Sequence, residues 1–255
     1  MRQLSIASPF GAPVFHEETV SSTMDIARVL AKQNEAHGTV ITADFQEAGR
    51  GRQSRRWSTE RGKNLLFTIL LRYEDIKSVP AALTLRTGLA VSIAIEDLAP
   101  SLRGSVFVKW PNDIMVCFRK IAGILTESDG RNVCIGVGVN VAQTEFPDDC
   151  RSKAGSIIQA QPNLCEDARF TLLERILARL HEEIEIARES FSWRERLTER
   201  LYKKGEMVTF ISGAVDSNSV VEGMLSGIGS GGELLIIPKG ENIARAFVNG
   251  ELKVY

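Results

Sequence analysis

Residues 105–140 read SVFVKWPNDIMVCFRKIAGILTESDGRNVCIGVGVN. Four apolar runs divide this stretch: Val106–Trp110, Ile114–Cys117, Ile121–Thr126 and Val133–Val139. The breaks between them are three to six residues long. Connections that short leave no room for a crossover helix, so successive strands run antiparallel. The stretch predicts the antiparallel heart of a sheet, with Pro111 setting its first turn.

Working outward, a helix is expected to start near Ser22, which can cap it with Asp25 as capping-box partner. Ile26, Ala27, Leu30 and Ala31 form its buried stripe, and Gly38 is placed to end it. A strand over Thr39–Phe45 follows, then a Gly- and Arg-rich loop over Gln46–Asn64 and an apolar strand over Leu65–Leu71. A long helix is expected from about Pro80. Downstream, Leu173, Ile176, Leu177, Leu180 and Ile184 share one face of a helix over Arg169–Ser190. A second helical segment spans Trp193–Lys203. From Glu206 only short β-rich runs remain, at Met207–Ile211, Val220–Ser226, Glu233–Ile237 and Ala244–Val248, broken by Gly, Ser and Asn. These predict a small β-barrel over 205–255 behind a larger domain over 1–204.

Composition narrows the classes of function. With 31 basic and 32 acidic side chains the formal net charge is −1, so no global field draws nucleic acid or acidic membrane. Any affinity for anions must come from a local cluster. Cys117, Cys134, Cys150 and Cys165 form no C-x-x-C pair and are expected to be inert or buried thiols in a reducing compartment. His16, His37 and His181 form no ligand pattern, and no metal site is predicted. The start lacks a signal-peptide pattern, and Pro80–Pro100 contains Arg86, Glu96 and Asp97, which suits a buried helix. A cytoplasmic protein without a membrane span is expected.

Four segments carry the chemistry. Arg50, Arg52, Arg55 and Arg56 fall within seven residues, beside Gly49 and Gly51 and ahead of Trp57. Guanidinium forks suit carboxylates and phosphates, glycine lets the backbone approach them, and an indole can stack on a base. Taken alone, a solvated basic loop is an equally good account. In the turn Lys109-Trp110-Pro111-Asn112-Asp113, the next hairpin brings Lys120 back towards Asp113, either as an ordinary surface pair or as a held ammonium. Gly136 and Gly138 alternate within an apolar strand, which marks close approach of a ligand or of another backbone. Ser21-Ser22-Thr23 offers hydroxyls and free amides at a helix start.

In order and spacing these segments resemble the biotin–protein ligase family. Its pattern S-S-T, Q-x-A-G-R-G-R-x-G-R-x-W, K-W-P-N-D, R-K-x-A-G-I-L and G-x-G-x-N is met almost throughout, from about Val20 to Gly250-Glu251. The resemblance implies an α+β fold: a mixed β-sheet with helices on one side, then a small C-terminal SH3-like β-barrel. It implies a two-step reaction, in which biotin and ATP form biotinyl-5′-adenylate and a carrier lysine then takes the biotinyl group. Lys120, Arg50, Arg52 and Asp113 are the implied catalytic residues. Ser22, Thr23, Gln46, Gly51, Gly123, Gly136 and Gly138 complete the biotin side, together with Arg50, Arg52 and Lys120. Arg52, Arg55, Trp57, Asn112, Lys120 and Asn140 belong to the adenylate side.

Magnesium is expected to arrive on the ATP phosphates, and the implied partner is the biotin carboxyl carrier domain of acetyl-CoA carboxylase or a related carboxylase. A monofunctional ligase that binds no DNA, as a monomer or homodimer, is expected, because the sequence before residue 16 is too short for a helix-turn-helix domain. One departure stands out: Ser54 replaces a family glycine, and a positive φ there would strain the loop. Two rivals remain at this point. A lipoate or octanoate transferase shares the fold and chemistry, and a non-catalytic biotin-sensing or nucleic-acid-binding module could use the arginine loop.

Overall fold

In a computed structural model, described for residues 1–165, 168–187, 190, 192–214 and 217–253, the four runs of the quoted stretch pair antiparallel in sequence order. In chain order the strands are β1 (Arg2–Leu4), β2 (Val14–Val20), β3 (Thr39–Gln46), β4 (Leu65–Arg72), β5 (Val106–Lys109), β6 (Asp113–Val116), β7 (Arg119–Ser128) and β8 (Asn132–Val139). They form one eight-stranded sheet in the order β1-β2-β3-β4-β8-β7-β6-β5. The sheet is mixed because β2 and β3 run parallel. Their connection is the helix α1 (Thr23–Lys32). The two N-terminal strands carried no period strong enough to be read from sequence.

Each strand alternates its side chains between two faces, and the faces are covered differently. Val40, Phe67, Ile69, Ile135, Val137 and Val139 point to a large core. There they meet α2 (Leu83–Leu98), α4 (Ala168–His181) and α5 (Ser192–Glu199). The helix α3 (Ile157–Ala160) adds one short turn at the edge of this core. Ile41, Leu70 and Cys134, from the alternate positions, meet α1 in a separate, much smaller cluster. The expected placement of helices on one side thus holds for α2, α4 and α5, whereas α1 lies on the opposite face. The segment Ile76–Leu98 is long and apolar enough to span a bilayer, but two-thirds of its most apolar stretch (67%) is buried inside the fold.

Several local expectations shift. Ser22 does cap α1, accepting from the backbone N–H of Met24. Asp25 does not complete a capping box; its carboxylate binds Arg28 and Arg50 instead. The helix stops before Gly38, because Asn34 takes the left-handed conformation (φ 61°) and Glu35 N–H bonds back to Leu30 C=O. Gly38 (φ 85°) instead starts the turn into β3, where a Cβ would collide with Phe10. The amphipathic helix at 169–190 ends its regular turns at His181 and continues as a wider turn over Glu182–Ile186. The helix expected over 193–203 ends at Glu199, since the backbone at Leu201 pairs with Val108 and covers the sheet edge.

The C-terminal unit is a five-stranded antiparallel sheet in the order β12-β11-β10-β9-β13. It comprises β9 (Met207–Ala214), β10 (Ser217–Ile228), β11 (Leu234–Pro238), β12 (Arg245–Phe247) and β13 (Glu251–Lys253). The last strand, too short for a periodic signal, was not anticipated. Phe210, Leu225 and Ile236 merge with the main core, and Trp110 donates its indole N–H to Gly232 C=O at 3.0 Å. A unit of about fifty residues buries too little apolar surface alone, and leaning on its neighbour supplies the rest.

Candidate active site

The thinly covered face of the sheet opens into a cavity of about 590 Å³. Its floor follows from strand periodicity. Gly136 and Gly138 share the face opposite Ile135 and Val137, and β7 places Gly123 directly across from Gly138. No Cβ rises from these three positions, so other groups come close. A Cβ on Gly138 would lie 2.7 Å from the Trp57 ring, and one on Gly136 2.9 Å from Met24 Cε. The indole of Trp57 lies over Gly123 and Gly138, so the glycine floor and the tryptophan are adjacent surfaces of one slot.

Lys120 reaches this slot through an irregularity. Strict alternation would put Lys120 and Gly123, three residues apart, on opposite faces. The β6–β7 register slips between Ile114 and Met115, so Ile121 and Ala122 both turn into the core. A bulge of this kind re-aims the neighbouring side chain. Lys120 consequently lies on the Gly123 side, with Nζ 2.6 Å from Asp113 Oδ1 and 5.4 Å from the centroid of the Trp57 ring. The sequence-based juxtaposition of Lys120 and Asp113 is therefore present, inside the cavity wall.

At the other end, Thr23 Oγ1 lies 2.8 Å from Thr68 Oγ1, and its backbone N–H and hydroxyl both donate to Gln46 Oε1 (2.8 and 3.0 Å). Ser22, Thr23 and Gln46 thus form a connected polar end-wall. Asn112 donates to Ile124 C=O (2.9 Å) and accepts from Arg52 (3.3 Å). Asn140 donates to Gly155 C=O at 2.9 Å, while its own Oδ1 is buried with no partner among the described residues.

The arginines divide their duties. Gly51 N–H to Arg55 C=O and Trp57 N–H to Gly49 C=O fold the loop back on itself. Arg50 is held by Asp25 at 2.5 Å, so its charge anchors the loop to α1 although its stem lines the cavity. Arg55 binds Glu251 through two hydrogen bonds, 2.9 and 2.6 Å, tying the loop to β13. That pairing holds the Glu251 carboxyl below its usual range and raises Arg55. Left-handed backbone in the loop falls on Gln53 (φ 54°, ψ 40°), one residue before Ser54, which closes a short 3₁₀ turn. The side chain of Ser54 lies outside the described part.

Lys109, Met24 and the wall segment with Phe146, Pro147, Asp149 and Cys150 also line the cavity without having been selected from the sequence. The wall segment carries no motif. Lys109 stands in the quoted turn, but burial is a tertiary property. Burial and Asp149 push the Cys150 thiol up, and burial, with a smaller push from Asp129 against the pull of Arg28, takes Cys134 to about 11, so neither is a ready nucleophile. Cys117 and Cys165 are exposed.

The family model described as "Biotin/lipoate A/B protein ligase family" matches residues 17–140. The bifunctional ligase/repressor BirA of Bacillus subtilis is 38% identical over 157 residues, covering 59% of this chain and 47% of that protein. The chain thus spans about half the length of such relatives. The biotin–[acetyl-CoA-carboxylase] ligase of Mycobacterium tuberculosis is 31% identical over 168 residues, covering 66% of this chain and 62% of its own. A biotin protein ligase of Aquifex aeolicus, solved in complex with biotin and ATP, superposes with a TM-score of 0.78 at 26% identity. It covers 94% of this chain and 97% of its own. In fold and in the kind of relatives it matches, the chain is similar to biotin–protein ligases, with a family match that spans just under half of its length.

Proposed function

We propose that this protein activates biotin with ATP to biotinyl-5′-adenylate and pyrophosphate, then transfers the biotinyl group to a lysine of a carboxylase carrier domain. The observation that carries the reading is Lys120 Nζ held 2.6 Å from Asp113 in the wall of the cavity, beside the glycine floor. Two anions must meet in the first step, a carboxylate and a phosphate, so cations are needed where they approach. Six basic and three acidic side chains line the cavity, although the whole chain is slightly acidic.

In this reading the end-wall of Ser22, Thr23 and Gln46 takes the polar ureido head, and the slot over Gly123, Gly136 and Gly138 takes the apolar rings. Lys120 bridges the biotin carboxylate and the α-phosphate, and Arg52 and Gly51 close over them. Trp57, Asn112, Arg55 and the unpartnered Asn140 oxygen serve the nucleotide. Asp113 orients Lys120 and receives a proton from the incoming lysine. Arg50 acts by anchoring the loop. Magnesium is taken to arrive with the nucleotide, as part of the substrate. The reading carries with it a cytoplasmic location and a boundary between the two units near residue 204.

The test is exchange of labelled pyrophosphate into ATP, with biotin, lipoate or octanoate added. Stimulation by biotin alone supports the reading. Equal stimulation by lipoate would move the chain to the lipoate side of the family, and no stimulation by any of them would remove the activity.

A further inference from the structure

Gln143 is only 3% exposed and sits in the chain between two residues that line the cavity, Asn140 and Phe146. Its side-chain oxygen accepts twice, from the Glu60 backbone N–H at 3.1 Å and from the side-chain amide of Asn64. Its nitrogen donates to Glu145 C=O at 2.7 Å. Asn64, also buried, accepts in turn from Val141 N–H at 3.2 Å, and Ala142 N–H bonds to Lys63 C=O at 2.8 Å. Glu60 and Asn64 belong to the far end of the arginine loop, three and seven residues past Trp57. Glu145 leads into the wall segment that brings Phe146, Pro147, Asp149 and Cys150 along the cavity. One buried amide therefore joins the two covers of the site.

The other end of the wall segment is fixed to the strand that carries Lys120. Lys120 N–H bonds to Lys153 C=O at 2.7 Å, and Gly155 N–H to Lys120 C=O at 3.0 Å. The wall is thus held at one end by the backbone of Lys120 and at the other by Gln143. A buried amide is costly unless it is bonded, and a bonded network specifies one arrangement of its parts. An apolar side chain at 143 would fill the same space without setting the distance between the covers.

We propose that Gln143 is a positioning residue that sets the spacing of the Trp57 loop and the wall segment, and so retains the adenylate between them. The inference rests on the activity proposed above. The hydrogen bonds of Gln143 go neither to the end-wall of Ser22, Thr23 and Gln46 nor to the glycine floor. Binding of biotin should therefore be indifferent to Gln143, whereas the adenylate, which needs both covers, depends on it.

The experiment compares the full-length wild type with Gln143→Met, which keeps the length of the side chain and removes its amide. Stopped-flow release of biotinyl-adenylate is measured beside KM for ATP and for biotin in pyrophosphate exchange, and beside thermal melting. Release and KM for ATP should rise about three- to tenfold, the range for one or two neutral hydrogen bonds. KM for biotin should stay within about twofold, as for a group outside its binding path. A lower melting temperature with release and both KM values unchanged would overturn the inference, because Gln143 would then serve the fold alone. An equal rise in KM for biotin would also overturn it, since the whole cavity would have been disturbed. If the methionine variant does not fold, Gln143→Glu, which keeps the accepting oxygen and loses the donor to Glu145, is judged by the same criteria. A wild type with no biotin-dependent exchange would instead overturn the activity on which the inference stands.

Discussion

The two faces of the eight-stranded sheet are built from alternate residues of the same strands, yet they do opposite work. One face carries Ile135, Val137 and Val139 into a core shared with three helices and the C-terminal sheet. The other offers Gly136 and Gly138, and among the described residues meets α1, a folded-back loop and the wall segment around Phe146 and Cys150. Close packing on the first face makes the strands rigid. Missing side chains on the second leave a slot whose lining is set by charged and aromatic groups. A site placed on rigid strands and filled from loops combines fixed geometry with the freedom to close.

Substitutions on each face should therefore separate stability from chemistry. Leu89, fully buried against the sheet in α2, is the test of the core face. Leu89→Ala should cost about 2–5 kcal/mol of folding stability in denaturant melts, with near-normal activity per folded molecule. On the slot face, Lys120→Ala should lower adenylate formation at least about a hundredfold, the scale of one preorganised electrostatic contact. Its melting temperature should barely change. If adenylation stays within about threefold of wild type, Lys120 is only an ion-pair partner and the division between the faces is drawn in the wrong place.

The loop gives finer tests. Arg52→Gly removes the contact to Asn112 and should release more biotinyl-adenylate, read as labelling of bystander lysines. Normal adenylation without extra labelling would take Arg52 out of the closure. Glu251→Gln should loosen the loop from β13 and speed adenylate release by a few-fold, with about 0.2–1 kcal/mol lost in stability because the pair is solvent-screened. The sign with pH is set by the depressed Glu251 carboxyl. Its contribution is fully present above the ordinary carboxylate value of 4.5 and is lost as pH falls through the lower folded value. The wild type and the glutamine variant should therefore converge in acid. The smallest effect concerns the left-handed residue. Gln53→Gly should relieve up to about 1 kcal/mol and slow adenylate release by a few-fold, whereas Ser54→Gly should not. A larger response at Ser54 than at Gln53 would show that the closed loop takes another path.

Much of this was legible in the chain because it is local. Strand pairing over 105–140 follows from run lengths and short turns, and the glycine floor follows from a period of two in a single strand. The Lys120–Asp113 pair follows from one hairpin. Whatever the period could not reach was missed: the strands β1, β2 and β13, and the stop of α1, which falls at the left-handed Asn34 and not at Gly38.

The sequence by itself determined the glycine floor, the arginine loop and the Lys120–Asp113 hairpin of the cavity, since alternation and turn chemistry act over a few residues. Only the tertiary structure decided which way four of the cavity's side chains act. The β6–β7 bulge turned Lys120 onto the glycine side against simple alternation. Asp25 and Glu251, 25 and 196 residues from their partners, took Arg50 and Arg55 out of the loop's pool of free cations. The packing of the C-terminal sheet against the K-W-P-N-D turn buried Lys109 beside carboxylates already in use. Charge partners and burial depend on segments far apart in the chain meeting in space, and no local pattern encodes where they meet.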